Sequence, residues 1–562
     1  MRTGEHDNSV LGINRTQDAS ICLFHGGVVV CATQKERLSR KKHAWGSLGD
    51  FAKYYCRLHE LRSEVDLVVE CFSSDPQITL LEDYRNELTN CIRFRGEPKF
   101  ALISHHVAHL YSAFFTSFYD HAAVMIIDAM GSPREHIAGN YSTGFNPCPI
   151  VEIASFYRAS RNQIDVIAKQ FWDICTQEPR GLGCFYHLLT QTIFPGGGND
   201  GKTMGLASYG DPYKLKLPPL RIEGFETFIP SAWLDAFRDT KRFGHFSRGS
   251  GTMEDCSNLA ASGQRVFEDA VLTLAHSLQK ETGEVALCFA GGTALNCLAN
   301  SRLRREAGFD ELFIPPAPHD GGTALGCAVY GDIEILGGTR RFTWQSDFLG
   351  PKMDETPYIQ SFVSERADLA VSRPSDLPGY IAHLLASGEV IALYQGQSEF
   401  GPRALGHRSI LADPRRVSLR EWINERIKGR ELFRPLAPMV LREDAHLYFE
   451  QTWFSPHMLY TFQATRHAKE LIPAVLHIDG TARVQTVGEG DDPFVYSLLK
   501  SFRTLTSLGV LLNTSFNTAS IPMVETLADA FACFEHMPIR TLVVPPFLIT
   551  KRMVLEPRRI DL

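Results

Sequence analysis

The sequence has no run of about eighteen apolar residues, no C-x-x-C pair, no low-complexity tract and no repeat of fixed period. The first absence excludes an ordinary membrane-spanning helix, and the second excludes zinc ribbons and thioredoxin-like redox motifs. The first ten residues, MRTGEHDNSV, lack the basic and then apolar order of a secretory signal. Thirteen cysteines stand singly along the chain. We therefore predict a cytoplasmic protein whose cysteines are reduced, buried thiols.

Size and charge limit the class of protein further. A chain of 562 residues is too long for one hydrophobic core, so we expect two or more domains. Its 44% hydrophobic and 22% charged residues are typical of globular proteins. The formal net charge of −7 disfavours a polyanionic partner, because most of the surface would repel it. We expect neither nucleic acid nor a membrane as a partner, and a homodimer is left open.

Positive charge is concentrated in residues 400–440, where eight arginines and one lysine are interleaved with apolar side chains. This pattern favours a cationic cavity over a mixed-charge surface. A guanidinium binds phosphate or carboxylate through two parallel hydrogen bonds, so Arg403, Arg408, Arg430 and Arg434 suit a small, multiply charged anion. A basic outer face or a nucleic-acid patch is the alternative explanation of this stretch.

The amino-terminal segment predicts a β-hairpin. Apolar runs at 10–14, 19–24 and 28–33 have strand character, and Asp18 stands in the loop between the first two. Actin-like ATPase folds open with such a unit, whose first loop faces the phosphates of a nucleotide. The basic segment 35–47 that follows is either a solvated helix end or a lip over phosphates. Many domains open with an ordinary hairpin, and the local pattern alone favours that simpler interpretation.

Two histidines and two aspartates form a candidate metal site. His105 and His109 are four residues apart in a segment with helical apolar spacing, so both side chains project from one face. Asp128 follows a strand-like run, and Asp320 stands at a glycine-rich turn. The set suits a divalent transition ion such as Fe(II) or Mn(II), with positions left open for phosphate oxygens. Taken singly, surface histidines and capping or turn aspartates are the alternatives.

Two glycine-bearing segments are candidates for contacts with phosphate. Residues 198–210 hold Lys202 between glycines, and residues 287–305 have the pattern strand, Gly291-Gly292 turn, helix. Such a turn lets backbone N–H groups and a helix N-terminus face an anion, although close-packed turns show the same pattern. The order of these segments along the chain matches an actin-like nucleotide clamp.

A family resemblance rests on a longer ordered set of motifs: DAS (18–20), ERLSRKKH (36–43), HHVAH (105–109), IIDAMG (126–131), GKTMGLASYG (201–210), GGTALN (291–296), DGGTALG (320–326), FGPRALGHRSILADPR (400–415), IKGRELFRPLAP (427–438), DGTARVQTV (479–487) and LLNTSFN (511–517). This set strongly resembles the carbamoyltransferases of the nodulation and antibiotic-tailoring family. The resemblance implies an α/β protein in two parts. Residues 1–355 would form a Kae1-like domain with the actin/Hsp70-like fold of two α/β lobes, and residues 370–562 a YrdC-like α/β domain.

The same resemblance implies an ATP-dependent O-carbamoyltransferase. Its carboxyl-terminal domain would form carbamoyl-adenylate from carbamoyl phosphate and ATP. Its amino-terminal domain would transfer the carbamoyl group to a hydroxyl of a small molecule, a natural product or other secondary metabolite. The implied residues for carbamoyl phosphate and ATP are Arg403, Lys428, Arg430, Arg434, Arg483, Asn513 and Ser515, of which Lys428, Arg483 and Ser515 would be catalytic. Those for the adenylate in the first domain are Lys42, Lys202, Gly291, Gly292, Asn296 and Gly321. The metal, Fe(II) foremost with Mn or Mg as alternatives, falls on His105, His109, Asp128 and Asp320.

The first loop departs from the family pattern. Where the family has His-Asp-Ser, this chain has Gln17-Asp18-Ala19, and glutamine cannot accept a proton. We predict that Gln17 and Asp18 contact the acceptor and that Asp18 is the catalytic base, with His43 as the alternative. A further option is that Gln17 only orients an acceptor hydroxyl acidic enough to need little help.

Other functions stay open at this stage. The departure in the first loop is compatible with a non-catalytic or kinase-type actin-like nucleotide-binding protein. A hydrogenase-maturation-type carbamoyl-adenylate enzyme would share both domains. Such enzymes also carry cysteine-rich zinc motifs, which this sequence lacks.

Overall fold

The computed structural model describes residues 7–72, 81–137, 149–176, 178–248, 251–340, 342–352, 359, 361–362 and 366–552. The strands are β1 Ser9–Asn14, β2 Ser20–His25, β3 Val28–Gln34, β4 Glu64–Val65, β5 Leu67–Phe72, β6 Arg93–Phe94, β7 Phe100–Ser104, β8 His121–Ile127, β9 Ile150–Ser160, β10 Ile164–Asp173, β11 Arg221–Glu223, β12 Glu226–Phe228, β13 Ala286–Ala290, β14 Glu311–Phe313, β15 Leu369–Ser372, β16 Ile391–Tyr394, β17 Arg408–Ala412, β18 Ala437–Leu441, β19 Thr461–Gln463, β20 Thr481–Arg483, β21 Gln485–Val487, β22 Val510–Ser515, β23 Thr541–Val544 and β24 Phe547–Lys551.

The helices connect these strands and cover the sheets. The α-helices are Lys35–Ser39, Leu81–Cys91, His105–Ala113, Arg134–Ile137, Leu182–Ile193, Asp200–Ala207, Ser231–Arg238, Thr240–Phe243, His245–Arg248, Met253–Thr282, Cys297–Glu306, Thr323–Tyr330, Leu377–Ala386, Val417–Trp422, Ala445–Tyr448, Arg466–Leu471, Pro493–Thr506 and Leu527–His536. Single-turn 3-10 and π helices are Phe51–Tyr55, His59–Arg62, Gly292–Leu295, Asp320–Gly322, Gly331–Ile335, Ile423–Ile427, Arg442–Asp444 and Pro473–Val475.

Two five-stranded sheets in the first half of the chain have the same strand order. The first runs β3-β2-β1-β5-β7 and the second runs β10-β9-β8-β13-β14. In each sheet the first three strands are antiparallel, and the last two lie parallel to the central strand. The predicted opening hairpin is confirmed by β1, β2 and β3. Because side-chain sites collect at the carboxyl ends of parallel strands, both sheets offer an equivalent edge for ligands.

Close packing of two helices brings those edges together. Helix His105–Ala113 lies against helix Thr323–Tyr330, and a Cβ at Gly326 would stand 1.8 Å from the carbonyl oxygen of Ala108. A Cβ at Gly12 in β1 would stand 1.9 Å from the carbonyl oxygen of Ala324. Only glycine permits backbone contact this close. The small residues of the DGGTALG motif therefore allow the two helices to pack closely, so that their ends lie near each other.

The second half of the chain is built on one eight-stranded mixed sheet, ordered β15-β24-β23-β16-β17-β22-β18-β21. Strands β16, β17 and β18 are buried throughout, and helices Leu377–Ala386 and Pro493–Thr506 pack on each other beside the sheet. The whole chain is thus a mixed α/β protein, as expected. The predicted boundary between residues 355 and 370 falls largely outside the described residues.

Two other expectations can be compared with the described residues. Eleven of their cysteines are free thiols, mostly buried. The prediction of reduced thiols is wrong at Cys175, which is disulfide-bonded, because single spacing in sequence does not report which sulfurs meet in space. Within the described ranges, no helix combines the length and the apolar composition needed to cross a bilayer.

Candidate functional site

The two histidines and two aspartates predicted as metal ligands converge at the edges of the two sheets. His105 directly follows β7 and begins a helix whose N-cap, Ser104, accepts a hydrogen bond from the Val107 N–H at 3.3 Å. His109 lies one turn further on the same face, and both imidazoles are fully buried. Asp128 directly follows β8. Asp320 begins the turn before the close-packed helix Thr323–Tyr330.

The distances within this cluster suit a single ion. The Nε2 atoms of His105 and His109 are 3.1 Å apart. Oδ2 of Asp128 lies 3.5 Å and 3.3 Å from those two nitrogens, and Oδ1 of Asp320 lies 3.4 Å and 3.9 Å from them. Two nitrogens each about 2.1 Å from one metal and at right angles would be about 3 Å apart. The buried Oδ2 of Asp128 has no hydrogen-bond partner among the described residues, so the four residues fit a divalent ion.

The charge balance of the cluster favours ionised carboxylates. Burial alone would raise the pKa of Asp320, but the imidazoles of His105 and His109 hold it well below its usual value. The pKa of Asp128 is also lowered. Burial and the charge of Asp320 would raise it, but the same two imidazoles outweigh both effects. Ionised oxygens are the form that binds a metal ion.

A further shell of polar residues fixes the ligands. The hydroxyl of Thr16 lies 2.9 Å from Oδ2 of Asp320, and Asn14 Nδ2 donates to the Asp320 carbonyl oxygen at 2.9 Å. The backbone N–H of His105 donates to Ser132 Oγ at 2.8 Å. Sequence reasoning missed Thr16, whose only signal was its place in the first loop. Such contacts set the orientation of metal ligands.

The predicted cationic residues of the second half line one large cavity of about 720 Å³. Its lining includes all seven residues expected to bind carbamoyl phosphate and ATP: Arg403, Lys428, Arg430, Arg434, Arg483, Asn513 and Ser515. Residues of the first half, Lys42, His43, Gly198, Lys202 and Cys297, complete its wall. The cavity is large enough for a nucleotide-sized ligand and draws on both halves of the chain.

Positive charge exceeds negative charge in this cavity, although Arg434 pairs with Glu431 at 4.0 Å. Burial, together with the charges of Arg483 and Arg434, lowers the pKa of Arg403 to about 9. Burial, Arg434 and Arg483 do the same for Arg430. Arg403 and Arg483 each have a buried Nε without a hydrogen-bond partner among the described residues. A bound polyanion would neutralise these charges and satisfy these donors.

Lys428 is held at the wall of the cavity by one residue pair. Its Nζ donates to Oδ1 of Asn517 at 2.7 Å, to the Asn517 carbonyl oxygen at 3.0 Å and to Oγ of Ser515 at 3.1 Å. The side chain is 2% exposed. Burial and the nearby charge of Arg430 lower the pKa of Lys428 well below its usual value.

Arg408 does not belong to the cationic cavity, contrary to the prediction. Its guanidinium is buried, stacks on Tyr394 at 3.8 Å and donates to the carbonyl oxygens of Gln395, Gly396 and Glu525. All of its charge is therefore satisfied inside the protein. The motif at residues 400–415, which contains Arg408, therefore serves in part to stabilise the fold.

The residues predicted to hold adenylate in the first half divide between the two sites. Lys42 and Lys202 line the cavity, where Lys42 Nζ donates to the Ala519 carbonyl oxygen at 2.7 Å and Lys202 pairs with Glu431 at 3.1 Å. Gly291 and Gly292 follow β13 beside the metal cluster, and a Cβ at Gly292 would lie 3.2 Å from Asp128 Oδ1.

Two further predicted adenylate residues are engaged with neighbours in the protein. The side chain of Asn296 caps helix Cys297–Glu306 and pairs with Gln264 at 2.9 Å. Gly321 packs against Gln34, so closely that a Cβ would stand 2.2 Å from its amide nitrogen. Their contact with a nucleotide stays a prediction.

In the first loop, Asp18 and His43 form a hydrogen-bonded pair. Nδ1 of His43 lies 2.9 Å from Oδ1 of Asp18, and both residues have φ in the left-handed region, 52° and 56°. Non-glycine residues held there are found at functional sites. A Cβ at Gly198 would stand 2.3 Å from Nε2 of His43, so glycine is needed where the loop covers the ring. With Glu36, the pair also forms a second group of potential metal ligands.

The fold and these two sites define an α/β protein with a cationic cavity and a cluster of potential metal ligands, and comparisons with known proteins assign it to a family. The family model described as Carbamoyltransferase N-terminus matches residues 73–329, and the model described as Carbamoyltransferase C-terminus matches residues 382–551. The chain belongs to the carbamoyltransferase family, and it is a carbamoyltransferase enzyme.

Individual relatives agree with the family models over most of the chain. The nodulation protein NolNO of Sinorhizobium fredii is 31% identical over 580 residues, which cover 97% of this chain and 81% of the relative. The nodulation protein NolO of Bradyrhizobium diazoefficiens is 33% identical over 463 residues, 80% of this chain and 79% of the relative. An uncharacterised protein of Synechocystis is 32% identical over 96% of both chains.

Solved structures resemble the chain only loosely. Component A of (R)-2-hydroxyglutaryl-CoA dehydratase from Acidaminococcus fermentans aligns over 57% of this chain and 97% of its own, at 13% identity and a TM-score of 0.33. HypF from T. kodakarensis aligns over 59% and 49% of the two chains, at 13% identity and a TM-score of 0.37. At these scores neither likeness adds to the functional argument.

Proposed function

We propose that this carbamoyltransferase is an ATP-dependent O-carbamoyltransferase that makes carbamoyl-adenylate and passes its carbamoyl group to a hydroxyl of a small molecule. One observation carries the proposal: the arginine cavity of the second half is completed by Lys42, His43 and Lys202 of the first half. A reactive intermediate formed against the arginines would therefore meet groups of the first half without leaving the cavity.

The two halves fit the two domains that the resemblance implies. The repeated strand order of the two five-stranded sheets supports an actin-like, Kae1-like domain of two lobes within residues 1–355. The eight-stranded sheet with its cationic cavity supports a YrdC-like domain within residues 370–562. Under this proposal the second half activates the carbamoyl unit, and the first half transfers it.

Adenylate formation would use the arginine cavity. Carbamoyl phosphate must first lose phosphate to water, because the balance of atoms requires a carbamate oxygen to attack the α-phosphorus of ATP as pyrophosphate leaves. Negative charge grows on the phosphoryl oxygens during the attack. Arg403, Arg483 and Lys428 are already in place for that charge, so they would act mainly on the transition state.

Transfer would follow at the end of the cavity lined by His43. The acceptor oxygen attacks the carbamoyl carbon, the bond from that carbon to the AMP oxygen breaks, and the acceptor proton must move to a base. A divalent ion held by His105, His109, Asp128 and Asp320 would supply positive charge for the adenylate phosphate.

His43 is better placed than Asp18 to receive that proton. Its Nδ1–H donates to Asp18, which leaves the lone pair of Nε2 as the proton acceptor. The hydrogen bond to Asp18 raises the pKa of His43 against the effect of burial. Asp18 would then orient the imidazole ring and balance the positive charge that it gains with the proton. Gln17, half-buried in the same loop, would contact the acceptor. His43 lines the cavity, which supports this order of roles.

Isotope exchange tests the proposal directly. The protein is incubated with ATP, carbamoyl phosphate and labelled pyrophosphate, and label should enter ATP only when carbamoyl phosphate is present. A kinase or a non-catalytic nucleotide-binding protein would give no such exchange. Transfer is then tested by mass spectrometry on natural-product alcohols, where the product should gain the mass of one HNCO unit. Absence of carbamoyl-phosphate-dependent exchange would refute the adenylate route.

A further inference from the structure

A second cavity, which no step of the proposed reaction uses, lies between the two halves of the chain. It has a volume of about 390 Å³, within the range of small-molecule sites. Its walls are aromatic, with Phe118, Trp344, Phe348, Trp453, Phe454 and Tyr460 among the lining residues. We call it the aromatic cleft. Phe118 from the first half and Phe454 from the second are 63% and 53% exposed, which is unusual for phenylalanine.

One polar group of the cleft is a buried donor without a partner. The indole Nε1 of Trp453 is inaccessible to solvent and makes no hydrogen bond to any described residue. The ring itself is held by edge-to-face contacts with Tyr460 and Phe462, at 5.7 Å and 4.7 Å between centroids. Because this N–H is inaccessible, a ligand in the cleft would meet the indole ring and not its N–H.

A second polar group is an oriented histidine. Nδ1 of His457 lies 2.7 Å from Oδ2 of Asp347, and Trp344 Nε1 donates to the other oxygen of that carboxylate at 2.6 Å. Because Nδ1 carries the proton toward the carboxylate, Nε2 of His457 is left as a hydrogen-bond acceptor. His457 is part of the cleft lining. The cleft therefore offers an oriented acceptor beside aromatic walls, and its lining also includes the charged side chains of Arg304, Glu311, Asp491 and Asp492.

A packed wall separates the cleft from the arginine cavity. Phe348 stacks on His407 with ring centroids 3.4 Å apart and packs against Leu405. Gln485, which lines the cleft, donates to the Leu405 carbonyl oxygen at 2.7 Å and accepts from Asn513 at 3.0 Å. Asn513 lines the arginine cavity on the other side. The two cavities thus share a wall but have different linings.

We propose that the aromatic cleft is a binding site for a small planar aromatic molecule that carries a hydroxyl group. The flat walls accept the ring system, and the ligand hydroxyl donates to Nε2 of His457. The proposal does not depend on the carbamoyl-transfer chemistry, because it concerns binding at a separate site.

The test uses 2-naphthol and 2-methoxynaphthalene, measured by titration calorimetry on the full chain without ATP or carbamoyl phosphate. The two probes share the ring, but only 2-naphthol can donate a hydrogen bond. We expect saturable one-to-one binding of 2-naphthol and about tenfold weaker binding of its methyl ether. Failure of 2-naphthol to bind saturably, or equal affinity for both probes, would overturn the proposal.

Variants locate the site. His457→Phe keeps a ring but removes the acceptor, so it should weaken 2-naphthol about tenfold and leave 2-methoxynaphthalene unchanged. Phe348→Ala should weaken both probes. Tyr213→Ala, an exposed aromatic change outside the cleft lining, is the control and should change neither. Parental affinity in both His457→Phe and Phe348→Ala would place the probe elsewhere and sink the proposal.

Discussion

The ammonium group of Lys428 is bound to Asn517 by two hydrogen bonds, one to the side-chain oxygen at 2.7 Å and one to the carbonyl oxygen at 3.0 Å. All its neighbours within hydrogen-bond distance are neutral, and its charge is buried beside other cations. Burying a positive charge in this setting costs free energy unless a bound anion neutralises it. The pair thus indicates a lysine prepared for a phosphate-bearing ligand.

Replacing Lys428 should abolish adenylate formation while the protein stays folded. In Lys428→Met, we expect carbamoyl-phosphate-dependent pyrophosphate exchange to fall about 100-fold or more, because one preplaced charge is lost from the transition state. Lys500→Met, on the exposed face of helix Pro493–Thr506, should exchange at the parental rate. Parental exchange by folded Lys428→Met would remove this lysine from the reaction.

Removing the charge of Arg483 and removing that of Arg408 should change the stability of the protein in opposite directions. Arg483 is half-buried near other cations, and its buried Nε has no hydrogen-bond partner among the described residues, so Arg483→Gln should raise the free energy of unfolding of the ligand-free protein by about 1 kcal/mol. Arg408 is fully satisfied by carbonyl oxygens, so Arg408→Gln should lower it by several times as much. Denaturant unfolding in phosphate-free buffer measures both.

Ligand-induced stabilisation provides the control for Arg483. Pyrophosphate at about 100 times its dissociation constant should stabilise the parent by about 2.7 kcal/mol, and this gain should shrink in Arg483→Gln. If Arg483→Gln were less stable than the parent yet responded equally to pyrophosphate, Arg483 would be a structural residue.

The contrast between these arginines shows what sequence can and cannot predict. The metal quartet was predictable because i,i+4 spacing fixes two histidines on one helix face, and aspartates at strand ends collect at one edge. Arg408 was misassigned because a motif does not tell whether its guanidinium meets backbone carbonyls or a ligand. The pairing of Cys175 was missed for a similar reason: it depends on contacts in space.

The fold was predictable in its elements more than in its arrangement. The hairpin of β1, β2 and β3 follows from apolar runs separated by a glycine pair. By contrast, the arrangement of the two sheets depends on contacts between segments that are far apart in the sequence. The two sheets share a strand order, but the sequence shows no matching repeat. Packing requires apolar residues at the buried positions and does not require the same residues in both sheets.

The pair Asp18–His43 predicts a specific change in the pH dependence of transfer. If the neutral imidazole is the base, as proposed, the rate should rise with pH through the pKa of His43, which the hydrogen bond to Asp18 raises above its ordinary value. In Asp18→Asn the carboxylate is lost, so the inflection should move to lower pH and the plateau rate should fall. Glu36, Lys42 and His319 also face this pair and remain unchanged.

Measuring the transfer rate against pH for the parent and Asp18→Asn decides between the two candidate bases. If Asp18 itself accepted the proton, Asp18→Asn would lose the inflection and nearly all activity together. His43→Gln should lose transfer activity at every pH tested. Its pyrophosphate exchange should stay at the parental rate, because in the proposed reaction adenylate formation precedes proton transfer.

Metal content should depend on Thr16 as well as on the four ligands. Asp320→Asn removes a charged ligand oxygen, so we expect the purified protein to lose its bound divalent ion, measured by elemental analysis. Thr16→Val removes the hydroxyl that lies 2.9 Å from Oδ2 of Asp320, and the ion should bind about tenfold more weakly. Thr89→Val, on an exposed helix face, should retain the ion at the parental level. Pyrophosphate exchange should survive in all three variants, because the proposed mechanism assigns that step to the arginine cavity and not to these ligands. Parental metal content in Asp320→Asn would show that the four residues do not form the site.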